Sequence, residues 1–240
     1  MMFGVLLAAA AGGTQAYTTV NTRAWWRSAV HKSRARPLLR LEKDEVIARL
    51  NAVPVFGVSN GASQLMSTED AETGVPVITF YLDVDEARTS LAAASAANPG
   101  VDVQLMVAPL GRAFAMRQEG VSVRLQPSQA EYNGVRQNLG FSDEDASSAQ
   151  LVPLFYSDEL KFEGPPDSGS SGSMTPFFFT VDDFRAAYVE SGQDVNELPG
   201  FQLTDLRTLA YNMEHDVDWR SAVLIPPEAG LAFASGESRR

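Results

Sequence analysis

VPVITFYLDVDEARTSL, Val75 to Leu91, reads as a buried strand feeding directly into a helix. Val75–Leu82 is almost wholly apolar, rich in β-branched and aromatic side chains, and of strand length. Asp83 is a good N-cap residue, and Glu86 three positions later completes a capping box. Val84, Ala87 and Leu91 then fall at i, i+3 and i+7, on one helical face. About a hundred residues on, the unit returns. In MTPFFFTVDDFRAAY, Met174 to Tyr188, the strand is Pro176–Phe179 and the cap is Thr180. Asp183 follows the cap by three, and Val181, Phe184 and Tyr188 repeat the face.

Outward from these two copies the same order of elements recurs. Before the first copy come a helix over Glu42–Leu50, a strand over Val53–Val58 and a polar loop or hairpin over Ser59–Gly74. After it, Asn98-Pro99-Gly100 stops the helix. A strand over Val101–Val107, a short helix over Leu110–Arg117 with Leu110 and Phe114 on one face, and a strand over Val121–Leu125 follow. Ser128 and Glu131 form a second capping box for a helix that Gly140 ends. Then the series restarts. Val152-Pro153-Leu154-Phe155 echoes Val53-Pro54-Val55-Phe56, Gln202-Leu203 answers Gln104-Leu105, and Val223-Leu224-Ile225-Pro226-Pro227 answers Val123-Arg124-Leu125-Gln126-Pro127. All offsets lie between 97 and 101 residues, which reads as an internal duplication. Two successive α+β modules sharing common punctuation are the alternative. The expected fold is α+β (mixed α/β), a duplicated two-lobe body with pseudo-two-fold symmetry, each lobe a small sheet packed with helices. The first lobe spans 41–140, an acidic linker 141–150, and the second lobe 151–236 with a flexible Gly/Ser/Pro-rich loop at 163–173.

The chain has 240 residues, 45 % of them hydrophobic and 20 % charged, a composition ordinary for a globular protein. It has no cysteine, which removes disulfides, thiolate zinc sites and a thiol nucleophile. The net charge of −11 hides a split. Residues 1–40 hold six Arg or Lys and no acid, leaving 13 basic against 30 acidic side chains in the rest, a formal −17. An acidic body argues against nucleic acid as a partner and suits a basic polypeptide.

The basic leader has two parts. Phe3–Ala11 is a nine-residue apolar run, too short to span a bilayer. The small residues after it make 1–16 a signal peptide cleaved after Ala16. Tyr17–Arg40 is basic, hydroxyl-rich and acid-free, the composition of an organelle transit peptide. A disordered basic arm is one alternative; a membrane-surface anchor at Trp25 and Trp26, with peripheral membrane association, is another.

Chemistry-bearing residues are sparse. His31 lies in the leader. His215, in MEHDVD (Met213–Asp218), is either a general base oriented by Asp216 or Asp218 or a cation at a helix C-terminus, where the dipole favours it. No nucleophile-elbow serine accompanies it. Asp83, Asp85, Glu86, Asp182 and Asp183 could be paired catalytic carboxylates or hard-metal ligands, but first-turn positions explain them without chemistry. There is no Walker loop and no GxGxxG before a helix; no cofactor, metal or catalytic residue is expected. The aromatics are the better lead. Phe177-Phe178-Phe179 sends side chains to both faces of its strand, one toward its own helix and the other toward core, groove or client. Phe80, Tyr81 and Met106 are the counterparts in the first half. These six are the candidate substrate-binding residues, core packing being the other reading.

Together the landmarks resemble one family, the twenty-two-kilodalton component of the protein-import translocon at the inner chloroplast envelope (the Tic family), with its cyanobacterial relatives. The matching pieces are a helix running into VPVF (Val53–Phe56), PVITFYLDVDEA (Pro76–Ala87), LVPLF (Leu151–Phe155), PFFFTVDDF (Pro176–Phe184) and IPPEAGLAF (Ile225–Phe233). They cover most of residues 45–233 in the family's order. The resemblance implies a duplicated α/β body with apolar grooves, soluble or peripheral in the plastid envelope intermembrane space. Its partners would be preproteins with basic transit peptides, and inner and outer envelope translocon subunits. The signal-plus-transit leader resembles those of nucleus-encoded proteins of complex plastids. The implied function is non-enzymatic, chaperone-like capture of preproteins. A scaffold between the two translocons, or a hydrolase using His215 with nearby acids, are the alternatives.

Overall fold

The computed structural model describes residues 41–71, 73–139, 151–163, 173–192 and 201–236. The leader 1–40, the linker 141–150 and all but the ends of the loop 163–173 lie outside the described residues. Glu163 and Ser173, read as loop, end one short strand and begin the next.

The first lobe opens with helix α1 (Lys43–Leu50), whose buried stripe is Val46 and Leu50. Strand β1 (Pro54–Asn60) turns back into a short β2 (Ser67–Glu69). The organising strand is β3 (Pro76–Tyr81) and its helix is α2 (Val84–Ala97). Then come β4 (Val103–Pro109), α3 (Leu110–Gln118), β5 (Val123–Gln126) and α4 (Gln129–Leu139). Among the described residues the second lobe repeats the list from its first strand onward. It has β6 (Pro153–Tyr156), β7 (Phe162–Glu163), β8 (Ser173–Phe178) and α5 (Val181–Glu190). Next are β9 (Gln202–Asp205), α6 (Leu206–His215), a 3-10 turn (Val217–Ser221), β10 (Ala222–Ile225) and α7 (Glu228–Ser235).

Both sheets have one topology. In the first, β1 pairs antiparallel with β3 and β4, while β3 pairs parallel with β5. In the second, β6 pairs antiparallel with β8 and β9, and β8 pairs parallel with β10. The short hairpin strand joins the early part of the organising strand in each: Ser67↔Ile78 for β2, Phe162↔Met174 for β7. The strand orders β5-β3-β1-β4 and β10-β8-β6-β9 therefore correspond member by member. That correspondence bears out the duplicated two-lobe body, with each sheet mixed rather than purely antiparallel.

One core joins the lobes. The inner face of the first sheet (Val55, Ile78, Phe80) and that of the second (Leu154, Phe177, Leu224) belong to a single apolar cluster. Residues of α1, α3 and α6, including Leu50, Leu110 and Leu209, fill it. Helix α1 packs on α3 in its own lobe and on α6 and β10 of the other. Arg49 ties the seam. Its Nη1 donates to the carbonyls of Arg220 (2.6 Å) and Ala222 (2.7 Å), and burial lowers its pKa.

The outer faces are covered by an exchange of helices. The first sheet packs its own α2 and also α7, the last helix of the second lobe. The Phe56 and Phe233 rings meet edge to face at 5.4 Å there. The second sheet packs its own α5 and also α4, the last helix of the first lobe, with Val135 against the cluster of Phe155, Phe178 and Phe184. Reciprocal exchange is what a pseudo-two-fold relation between the halves produces. Each lobe is a small sheet packed with helices, as expected, and the helix taken from the other half follows the two-residue link Pro127-Ser128 or Pro226-Pro227.

Candidate functional site

Four strands deliver helices to one place. β3, β5, β8 and β10 end at Tyr81, Gln126, Phe178 and Ile225, and within three residues α2, α4, α5 and α7 begin. Between these starts lies a groove of about 330 Å³. Its apolar wall includes Leu82, Val84, Pro153 and Phe179, and its charged residues are Asp83, Glu131, Asp182, Asp183 and Glu228. All five are acidic. Each lobe contributes corresponding positions, Asp83 with Thr180 and Pro127 with Pro227, so the groove straddles the seam.

The acids are held by helix ends. The Asp83 carboxylate accepts from the N–H groups of Asp85 (2.8 Å) and Glu86 (3.0 Å). Thr180 Oγ1 accepts from the Asp183 N–H at 3.0 Å and donates to the Asp183 carboxylate at 2.6 Å. These are two of the three caps expected from sequence, Ser128 being the third. Neither glutamate of the two expected capping boxes turns back on its own cap. Glu86 instead accepts from the N–H of Gln129, the first residue of α4, at 2.5 Å. Glu131, on α4, accepts from the N–H of Val181, the first residue of α5, at 3.2 Å. A free first-turn N–H and the positive end of the helix make each a natural carboxylate site. The Glu131 contact crosses from one lobe to the other. Burial pushes its pKa up, the Val181 N–H opposes that, and Asp182 and Asp183 push it up further. Burial also raises Glu86, opposed by the Gln129 N–H and assisted by Asp83. No basic side chain is among the groove's lining residues, and Arg185 of α5 is near enough to lower the Glu131 pKa in part.

The six aromatic and Met candidates are divided by the fold. Phe80, Phe177 and Phe178 are at most 1 % exposed. Phe80 and Phe177 lie in the shared core and Phe178 under α5, packed on Phe184 at 5.7 Å. Tyr81 is half-buried on the outer face, its hydroxyl donating to Ser90 Oγ at 2.9 Å, and Met106 is half-buried against the shared core. Phe179 alone of the six reaches the groove wall. Sequence reading missed Glu131 and Glu228 as groove residues. The signal was present in the repeat itself: Pro127-Ser128 and Pro227-Glu228 occupy the same place in the two halves.

His215 ends α6 on the exposed surface, away from the groove. Its Nδ1 lies 2.7 Å from the Tyr211 carbonyl oxygen, and its ring stacks on Tyr211 with centroids 4.0 Å apart. Those contacts are the ones a histidine makes with the last carbonyls of a helix. Among the described residues no group of three or more His, Asp or Glu is placed to hold a metal ion, and no helix is long and apolar enough to cross a membrane.

Two lobes of one topology, a shared core and a seam groove with acids at its helix starts define a duplicated α+β groove protein. The Tic22-like family model matches residues 7–235, and the chain belongs to that family. Among curated proteins it is similar to Protein TIC 22-like, chloroplastic, of Arabidopsis thaliana, with 23 % identity over 201 residues. That match takes in 78 % of this chain and 62 % of the relative, so the chain spans less than two thirds of the relative's length. Among solved structures, Tic22 from Plasmodium falciparum superposes with a TM-score of 0.61 at 17 % identity, covering 81 % of this chain and 98 % of that one. Anabaena Tic22, whose description reads protein transport, gives 0.59 at 16 % identity, covering 83 % and 95 %. These likenesses agree with the fold described above.

Proposed function

We infer that this protein is a non-enzymatic component of plastid protein import that holds preproteins in transit between the envelope membranes. Family membership supports the import role. The observation that carries the capture reading is the seam groove: an apolar wall with five carboxylates and no basic side chain among its lining residues. Transit peptides are basic and acid-poor, so both the groove and the −17 body charge attract them. Screening limits that attraction to about 8 Å at physiological salt, so charge speeds encounter more than it tightens the grip. Apolar burial supplies the grip and tolerates many sequences, being non-directional. The leader 1–40 would address the chain itself to a complex plastid, with mature N-termini between Tyr17 and Leu41.

A fluorescent peptide with the sequence Tyr17–Arg40, six Arg or Lys and no acid, is titrated into the full chain at low and high salt. The expected Kd is roughly micromolar or weaker, because a disordered ligand loses entropy on ordering. It should weaken as salt rises without vanishing. Absence of binding at low salt by folded protein would sink the capture reading and leave a scaffold role between the outer and inner translocons.

A further inference from the structure

The sheet edge at β4 is built differently from the three other edges. Met66 N–H donates to Val58 O, and Asn60 N–H to Gln64 O, so Val58 and Asn60 turn their backbone groups toward the β1–β2 hairpin. Alternation then turns Val55, Gly57 and Ser59 toward β4, and Leu110 N–H donating to Val53 O fits the same parity. Their cross-strand partners are Ala108, Met106 and Gln104. Opposed residues of such a pair exchange both hydrogen bonds. Val103, Leu105 and Val107 are left turning N–H and C=O outward, and among the described residues no strand pairs there.

The other three outermost strands are short and marked by polar groups. β5, β9 and β10 have four residues each. Arg124 of β5 is paired with Asp70. β9 ends in Asp205, the cap of α6, and its Gln202 side chain donates to Asp158 at 2.7 Å. The Ala222 carbonyl of β10 is taken by Arg49. Strand β4 has seven residues, no charged side chain and no interior proline. Leu105 and Val107 pack on the outer-face cluster and Met106 on the shared core, so the middle of the strand is anchored by apolar contacts on both faces. Natural sheets guard such edges with charge, proline or brevity; β4 carries none of these before Pro109.

We propose that β4 receives an extended segment of the client polypeptide by strand addition, an inference that rests on the capture reading above. Main-chain pairing reads no side chains, which suits clients of differing sequence. The outward row of three donors and three acceptors fits about six residues of extended chain. Charge selects the occupant: a basic, acid-free strand approaches a −17 body favourably, whereas edge-to-edge pairing of two copies would bring two such bodies together.

The test uses the full chain, the Tyr17–Arg40 peptide, and the same peptide N-methylated at alternate residues. Methylation keeps charge and side chains and deletes the donors of one strand edge. Peptide binding should slow hydrogen exchange at the amides of Val103, Leu105 and Val107, and a methylated register should bind roughly tenfold more weakly, the loss of one or two hydrogen bonds. Binding that leaves those three amides unchanged, or that ignores methylation in both registers, overturns strand addition while sparing the capture reading. No binding at all overturns both. Protection of the same amides that grows with protein concentration in the absence of peptide makes the edge a contact between copies and also overturns the proposal.

Discussion

Gly111→Ala tests the packing of α1 on α3, the two first-lobe helices that help fill the shared core. Gly111 is the second residue of α3 and lies where α3 crosses α1. A Cβ there would come within 2.5 Å of the Ile47 carbonyl oxygen and would also collide with Asn51 Oδ1. The Asn51 amide can rotate away, but the Ile47 carbonyl accepts the Asn51 N–H at 2.9 Å and is fixed in the helix end. The helices must therefore move apart. Alanine in a helix gains about 0.5–1 kcal/mol over glycine, and overpacking a close-packed site costs about 1–3 kcal/mol. The net expectation is a loss of about 0–2.5 kcal/mol, or a Tm lower by up to about 10 °C for a body of this size. Gly134→Ala, in α4, where an added Cβ would meet nothing within 4 Å, supplies the opposite sign. It should raise stability by about 0.5–1 kcal/mol. Thermal melts followed by circular dichroism measure both. If Gly111→Ala raises Tm as Gly134→Ala does, the α1–α3 approach is looser than described and the close-packing argument fails.

Three further outcomes follow from the same geometry. Residues 41–150 and 151–240, expressed separately, should each lack near-ultraviolet dichroism and bind a hydrophobic dye, because each sheet's outer face is covered partly by the other half's last helix; sharp native spectra from either piece would contradict the exchange. Glu131 and Glu86 have folded-state pKa values raised above 4.5, so their contribution to stability is present below that pH and is lost as pH rises through the folded values. Glu131→Gln keeps an oxygen for the Val181 N–H and should flatten the fall in stability above pH 4.5 relative to the parent chain; parallel denaturation profiles would refute the buried-carboxylate account. His215→Ala should leave peptide capture unchanged and cost about 0.3–1 kcal/mol from the helix terminus; loss of capture by a folded variant would reopen a chemical role for this histidine.

The sequence by itself determined the elements and their repetition. Short-range physics sets both: short, almost wholly apolar runs rich in β-branched and aromatic residues mark Pro76–Tyr81 and the Phe177–Phe179 run as strands, and Asp83 and Thr180 cap the helices that follow through hydrogen bonds two or three residues away. The ordered echoes carried the family resemblance for the same reason, since a duplicated chain keeps its local signals in register. What only the tertiary structure decided is how faces and partners are assigned. Alternation says that Phe177 and Phe178 point opposite ways, but not which of them meets the shared core. A glutamate three residues after a cap reads as half of a capping box, yet Glu131 bonds a residue fifty positions on, because a neighbouring helix start offers an unpaired N–H with a positive end behind it. The last helix of each half follows its own sheet in the chain but packs on the sheet of the other half. The two-residue link at each strand end sends it across the seam, and that crossing creates both the groove and the mutual dependence of the lobes.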